Sequence, residues 1–207
     1  MRITWLGHAC FALESGGYRI ITDPWRDVPG FGTMNAEAHA LYCSHGHYDH
    51  AASETVTLLA APPSPFSVAE IPSFHDEVCG AKRGENTIRI FEAEALRIAH
   101  LGDLGHLLIE AQLEALHRVD VLLIPVGGIY TLDPREAKQT ADAIGAKLIV
   151  PMHYRRGDLG FDNIADVEEF LSLFDDKCVV RIDSNAFCPT EYEQGTVLLP
   201  SYLKQQK

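Results

Sequence analysis

The sequence lacks any apolar stretch approaching the ~20 residues that a membrane-spanning helix requires. Its longest run, Val121–Val126, stops at Gly127-Gly128, so no membrane span is expected. Positive charge is also scarce: 17 Lys+Arg face 29 Asp+Glu, a formal charge of −12 over 207 residues. Such a surface repels phosphate backbones and anionic lipid, which argues against a nucleic-acid partner. The five cysteines (Cys10, Cys43, Cys79, Cys178, Cys188) are odd in number and form no C-x-x-C pair. They read as reduced core thiols and point to a cytoplasmic setting. The opening Met1-Arg2-Ile3-Thr4-Trp5 alternates like a strand, without the apolar centre of a signal peptide. There is no fixed-period repeat and no low-complexity tract. What remains, 46% hydrophobic and 22% charged residues, is an ordinary globular mix, expected as one domain over residues 1–207.

Periodicity and turn residues predict strands at Arg2–Leu6, Cys10–Leu13, Tyr18–Thr22 and Ala40–Cys43, with a Gly/Pro-rich loop from Asp23 to Asn35. Further strands are expected at Thr87–Glu92, Leu96–Ala99, Val121–Pro125, Leu148–Val150 and Val179–Ile182. Helices are expected at Ala51–Ala61, Leu107–Val119, from Asp133-Pro134 to Gly145, and at Ile164–Phe174. Strands dominate the first half and alternate with helices in the second, which predicts a layered α/β sandwich.

The strongest chemical signal is His45-Gly46-His47-Tyr48-Asp49-His50, four metal-capable side chains in six residues after an apolar strand. In extended chain, residues two apart share a side, so His45 and His47 can hold one ion. Asp49 and His50 fall past the bend and can face a second ion, with Gly46 letting the backbone turn. More ligands must come from elsewhere. His153 and Asp103 each follow a predicted strand, and a carboxylate can bridge two cations where an imidazole cannot. His75 completes the set, with His100 as the competing choice.

H-x-H-x-D-H is the signature of the metallo-β-lactamase fold superfamily, which this chain resembles from Trp5 to about Tyr154. Trp5-Leu6-Gly7-His8-Ala9-Cys10-Phe11 and Thr22-Asp23-Pro24-Trp25 resemble the branch of ascorbate-6-phosphate lactonase and the phospholipase D acting on N-acylphosphatidylethanolamines. Gly80–Thr87 and His100–His106 look most like the lactonase side. The resemblance implies a four-layer αββα sandwich with metals at one edge. It also implies an assignment: His45, His47 and His75 on the first ion, Asp49, His50 and His153 on the second, and Asp103 between them. A His three residues before the bridging Asp suits a hydrogen bond to it, which assigns that supporting place to His100. Asp23 is expected to brace the metal loop.

Two divalent ions of imidazole-rich type suit Zn²⁺ first, with Mn²⁺ or Fe²⁺ as alternatives. Two cations, two carboxylates and a hydroxide leave a site of about +1, attractive to a small anionic substrate. The expected activity is attack of a metal-bound hydroxide on an ester, lactone or phosphoester, with Asp49 or Asp103 handling the proton. Weaker candidates for substrate contact are His8, Arg83, Asn86, His106 and Tyr130, with Lys82 beside Arg83 in a small cationic cluster. Gly127-Gly128 reads as a place of close backbone approach. The alternatives are an RNA-processing nuclease of the same fold, a diiron redox protein and a non-catalytic metal-binding member. The redox reading is weakened because that motif has Glu where this chain has His47. Assembly into an oligomer stays open.

Overall fold

The computed structural model describes residues 1–60 and 62–203. In chain order the strands are β1 Arg2–Gly7, β2 Cys10–Ser15, β3 Tyr18–Thr22, β4 Ala36–Ala38, β5 Ala40–Tyr42, β6 Val56–Leu58, β7 Ser67–Phe74, β8 Glu85–Ala93 and β9 Leu96–His100. Helix α1 Glu110–Ala115 and β10 Val121–Pro125 follow, then α2 Pro134–Ile144, β11 Leu148–Met152, α3 Val167–Leu171, β12 Val179–Ile182, β13 Ala186–Phe187 and β14 Thr196–Pro200.

The strands form two principal sheets. One runs β13-β1-β2-β3-β5; the other runs β12-β14-β11-β10-β9-β8-β7. A separate pair, β4 with β6, is parallel. In the larger sheet β12, β14, β11, β10 and β9 are mutually parallel, and β8 and β7 are antiparallel additions. Strands β10, β11 and β14 are buried at every residue. That explains why they read as unbroken apolar runs, since a parallel sheet covered on both faces has no polar side to alternate with. One apolar cluster joins Trp5, Phe11 and Ile21 of the first sheet to Ile90, Leu122 and Val150 of the second. The architecture is a mixed α/β sandwich of the expected type, with few helices.

Helix α2 matches its sequence signals. Asp133 accepts hydrogen bonds from the Arg135 and Glu136 amides, the Glu136 carboxylate accepts one from the Asp133 amide, Pro134 opens the first turn, and Gly145 closes the last. The other helices are shorter than expected. In place of Leu107–Val119, α1 covers six residues. Asp166 caps α3, so that helix starts three residues after Ile164 and runs on as tight turns to Phe174. The expected helix at Ala51–Ala61 is absent: Ser53–Thr55 makes one 3₁₀ turn and Val56–Leu58 becomes β6, while Ala61 lies outside the described residues. Pairing of Ala36–Ala38 with Val56–Leu58 overrides the helical preference of that stretch. No helix among the described residues is long and apolar enough to cross a membrane. All five cysteines are free, but only Cys10 is fully buried and Cys79 is exposed, so the core reading holds for Cys10 alone.

Candidate metal centre

Strand ends from both sheets converge at one edge. His8 follows β1, Asp23 follows β3, the His45–His50 loop follows β5, His75 follows β7, Asp103 follows β9 and His153 follows β11. The carboxyl ends of parallel strands are where an α/β sheet gathers its chemistry.

Asp103 sits at the middle. Its Oδ2 lies 3.2 Å from His75 Nε2, 3.4 Å from His153 Nε2 and 3.8 Å from His45 Nε2, and its Oδ1 lies 3.1 Å from His50 Nε2. Ligand atoms of His45, His47 and His75 fall within 4.8 Å of one another, as do those of His45, His50 and Asp103, and those of His8, Asp49, His50 and His153. Buried His45 Nε2, His50 Nε2 and Asp103 Oδ1 have no hydrogen-bond partner. Buried polar atoms left unpaired are costly. Donors ~2.1 Å from a tetrahedral ion sit about 3.4 Å apart, close to the spacings seen here. The donor set therefore fits metal ions.

The other ring nitrogens are tied down. His75 Nδ1 donates to the Tyr130 carbonyl (2.8 Å), His50 Nδ1 to Asp23 Oδ2 (2.8 Å), and His45 Nδ1 to Ser44 Oγ (2.9 Å). Ser44 in turn donates its hydroxyl to Asp23 Oδ2 and its amide to Asp23 Oδ1, both at 2.6 Å. Asp23 thus orients two imidazoles, one directly and one through Ser44, which aims each Nε2 inward. Asp23→Asn is expected to lower metal affinity about 10–100-fold while leaving the fold intact, measured by chelator competition and thermal melting. Wild-type affinity in that variant would remove the bracing role.

The electrostatics of these side chains agree with this wiring. Burial raises the Asp23 carboxyl, but His100 and His50 outweigh it and hold it at about 2. Burial drives His45 down to about 4 and His153 down to about 3, so both are neutral near pH 7, the form that binds metal. His50 is the exception. Burial lowers it, yet Asp103 and Asp23 raise it well above the ordinary value, so an ion entering there displaces a proton.

The cluster opens into a cleft of about 380 Å³ lined by His47, Tyr48, Asp49, His75, Arg83, Asp103, Tyr130, His153 and Phe161. Arg83 is the one Lys or Arg among the described lining residues, and its guanidinium lies 5.3 Å from the centre of the Tyr130 ring. The loop carrying Arg83 is organised by Asp76, whose carboxylate accepts amides from Val78, Gly80, Lys82 and Arg83. Lys82 points away, paired with exposed Glu77.

Three expected roles are corrected. Asn86 is buried and fully engaged: its amide donates to Ser73 Oγ and the Leu101 carbonyl, and its oxygen accepts the Asp103 amide. It positions Asp103 and cannot meet substrate. His106 is absent from the cleft lining because both ring nitrogens are used, one accepting the Phe74 amide and the other donating to the Leu107 carbonyl. His100 does not bond Asp103. It donates to the Ala9 carbonyl and accepts the Gly102 amide, which leaves His75 as the histidine at the cluster. Gly102 explains the sharp approach: with φ of +57°, a Cβ there would lie 2.3 Å from Asn86 Oδ1 and 2.4 Å from Ser44 Cβ. Ser44, Tyr48 and Phe161 escaped the sequence reading. Ser44 and Tyr48 stand within or beside the histidine motif, but nothing in the sequence marks Phe161.

The family described as beta-lactamase superfamily domain matches residues 2–153. A metal-dependent hydrolase of the UPF0173 group from Methanoculleus marisnigri is 32% identical over 185 residues, covering 74% of this chain and 81% of that one. A UPF0173 protein of Pyrococcus furiosus is 31% identical over 199 residues, covering 82% and 89% respectively. A Thermotoga maritima protein, whose crystal structure is described as that of a Zn-dependent hydrolase of the metallo-β-lactamase superfamily, superposes with a TM-score of 0.74. It is 36% identical and covers 96% of this chain and 97% of its own.

Proposed function

Because the chain belongs to the metallo-β-lactamase superfamily, and within it is a metal-dependent hydrolase, we propose that it holds two divalent ions and hydrolyses an ester, lactone or phosphoester of a small anionic substrate. The observation that carries this reading is the Asp103 carboxylate, which lies 3.1–3.8 Å from imidazoles of both ligand groups, His45 and His75 of one and His50 and His153 of the other. One carboxylate between two sets of three donors is the arrangement two ions need. Zn²⁺ is the first choice for so imidazole-rich a set, with Mn²⁺ and Fe²⁺ as alternatives. Bound there, such ions supply Lewis acidity and bring the pKa of water down towards ~7.

The protein residues divide the remaining work. Arg83, stacked near Tyr130, holds the anionic group of the substrate at the cleft wall. Tyr48, Tyr130 and Phe161 give that wall an apolar face and limit water. Asp49 takes up the proton, because its side chain is 14% exposed, whereas Asp103, which also lines the cleft, is 2% exposed and faced by four imidazoles. The preference for a small anion over RNA rests on one lining cation and a chain charge of −12. The lactonase-like branch enters the proposal through this substrate class, and a cytoplasmic setting goes with it.

Elemental analysis of protein purified without chelator is expected to give two transition-metal equivalents per chain. Turnover should then appear in a panel of anionic lactones, esters and phosphodiesters, and fall when each anion is replaced by a neutral analogue. One equivalent or none, unrestored by Zn²⁺ or Mn²⁺, would break the two-ion assignment. Cleavage of a tRNA precursor with no activity on the small-molecule panel would move the reading to a nuclease.

A further inference from the structure

His8 is a buried histidine for which the fold supplies no task. It is 1% exposed, yet among the described residues neither ring nitrogen has a hydrogen-bond partner. An imidazole stripped of water with both nitrogens unpaired is a standing cost that needs a compensating ligand. Its surroundings supply candidates for a shared ion. A ring nitrogen of His8 lies within 4.8 Å of ligand atoms of Asp49, His50 and His153, which are equally close to one another. The His8 Nε2–Asp49 Oδ2 distance, 3.5 Å, is long for a hydrogen bond and near the ~3.4 Å expected of two donors on one tetrahedral ion. The ring centres of His8 and His153 are 4.2 Å apart.

The backbone is arranged to hold this position. His8 has φ of +52°, uncommon for a residue with a Cβ, and its carbonyl is gripped by the Trp5 indole (3.0 Å) and the His153 amide (3.4 Å). A costly conformation persists only where its surroundings over-determine it. The same contact links His8 directly to the strand end that carries His153.

We infer that His8 is a further protein ligand of the ion held by Asp49, His50 and His153, beside the Asp103 carboxylate that the two ions share. The inference rests on the two-ion reading and adds an asymmetry to it. With Asp103 shared between the two ions, His8 brings this ion to five protein donors while the His45–His47–His75 ion has four. The ion with fewer protein donors, and so with more room for an exchangeable ligand, is the one on the His45–His47–His75 side. His47 and His75 line the cleft, as do Asp49 and His153, whereas His8, His45 and His50 do not.

The test uses His8→Asn, since Asn tolerates a left-handed backbone, and His8→Gly as a second variant should Asn impair folding. Metal-free wild type and variants are titrated with Co²⁺ and with Zn²⁺ against a competing chelator, and Co²⁺ visible absorption is recorded. One of the two ions should weaken by at least about 100-fold, above the ~10–100-fold attached to an outer hydrogen-bond partner, while the other is unchanged. The Co²⁺ spectrum should lose the contribution of the weakened ion. Wild-type affinities for both ions and an unaltered spectrum would overturn the inference. If the wild type binds a single ion, the two-ion reading fails on its own. His8 then stands as a ligand if the variants lose that ion, and falls if they keep it.

Discussion

Asp103→Ala is expected to reduce turnover of any substrate found by at least about 10³-fold, well beyond the ~10–100-fold typical of losing an outer partner. The reason is its position: four imidazoles from three chain segments face this one carboxylate within 3.8 Å. Removing it deletes a donor from both proposed ions and takes away the carboxylate that faces His50 Nε2 at 3.1 Å, leaving Asp23 on the other nitrogen. Metal content should fall with activity. Asp103→Asn separates charge from shape, because the amide keeps the volume and can still accept one hydrogen bond. It should fold and still lose metal. Wild-type turnover in the alanine variant would exclude a bridging role.

Gly127→Ala is expected to cost about 3 kcal/mol of stability, the upper end of what overpacking commonly costs. A Cβ at Gly127 would lie 2.2 Å from the His153 carbonyl oxygen, with His153 Nδ1 and Ile164 Cβ both at 3.2 Å. The obstructing atom is backbone and cannot swing aside. For a chain of this size the loss corresponds to a fall in Tm of roughly 6–12 °C. The displaced residue is also a candidate ligand, so metal affinity should fall too. Gly46→Ala is the control. It sits inside the H-G-H motif, but a Cβ there meets nothing within 4 Å. Contrary to the expectation that Gly46 must be bare for the loop to bend, its replacement should change stability by less than ~0.5 kcal/mol. If Gly127→Ala melts like the control, the close approach is not a constraint.

The contrast between these glycines shows what a sequence can carry. The histidine motif is legible because its four donors occupy one loop and need no knowledge of distant partners. His75, Asp103 and His153 came from resemblance together with strand placement; their convergence depends on how two sheets dock. His8 was readable as a candidate substrate contact, but it does not line the cleft, and its neighbours in space lie about forty and more than a hundred residues away.

Elements were lost for similar reasons. Strand β7 reads Ser-Val-Ala-Glu-Ile-Pro-Ser-Phe, and its Pro72 argues against a strand until one sees that β7 is an edge, paired only with β8. On an edge a residue without an amide hydrogen is tolerated. Strand β14 was missed although it is buried throughout, because its place between β11 and β12 is non-local. Helix α2, by contrast, carries its own capping residues at both ends, and its limits were readable to within a residue.

The closure of the smaller sheet has a consequence during synthesis. β1 finds its outer partner only at Ala186–Phe187, through Ile3↔Phe187 and Thr4↔Ala186, with Asn185 holding Trp5 at both backbone groups. Those residues are 180 positions apart. At ~5–20 residues per second, the ribosome leaves the outer edge of β1 without its partner for roughly 9–36 s. During that interval β1 is an open strand end on a nascent chain, with an apolar face, the condition that invites pairing with another chain. The Arg2 and Thr4 side chains lie on the alternate face of that strand, where Arg2 is exposed and Thr4 half-buried. The seam that completes the sheet is therefore the last to be sewn, and slowing it is where newly made protein would be lost.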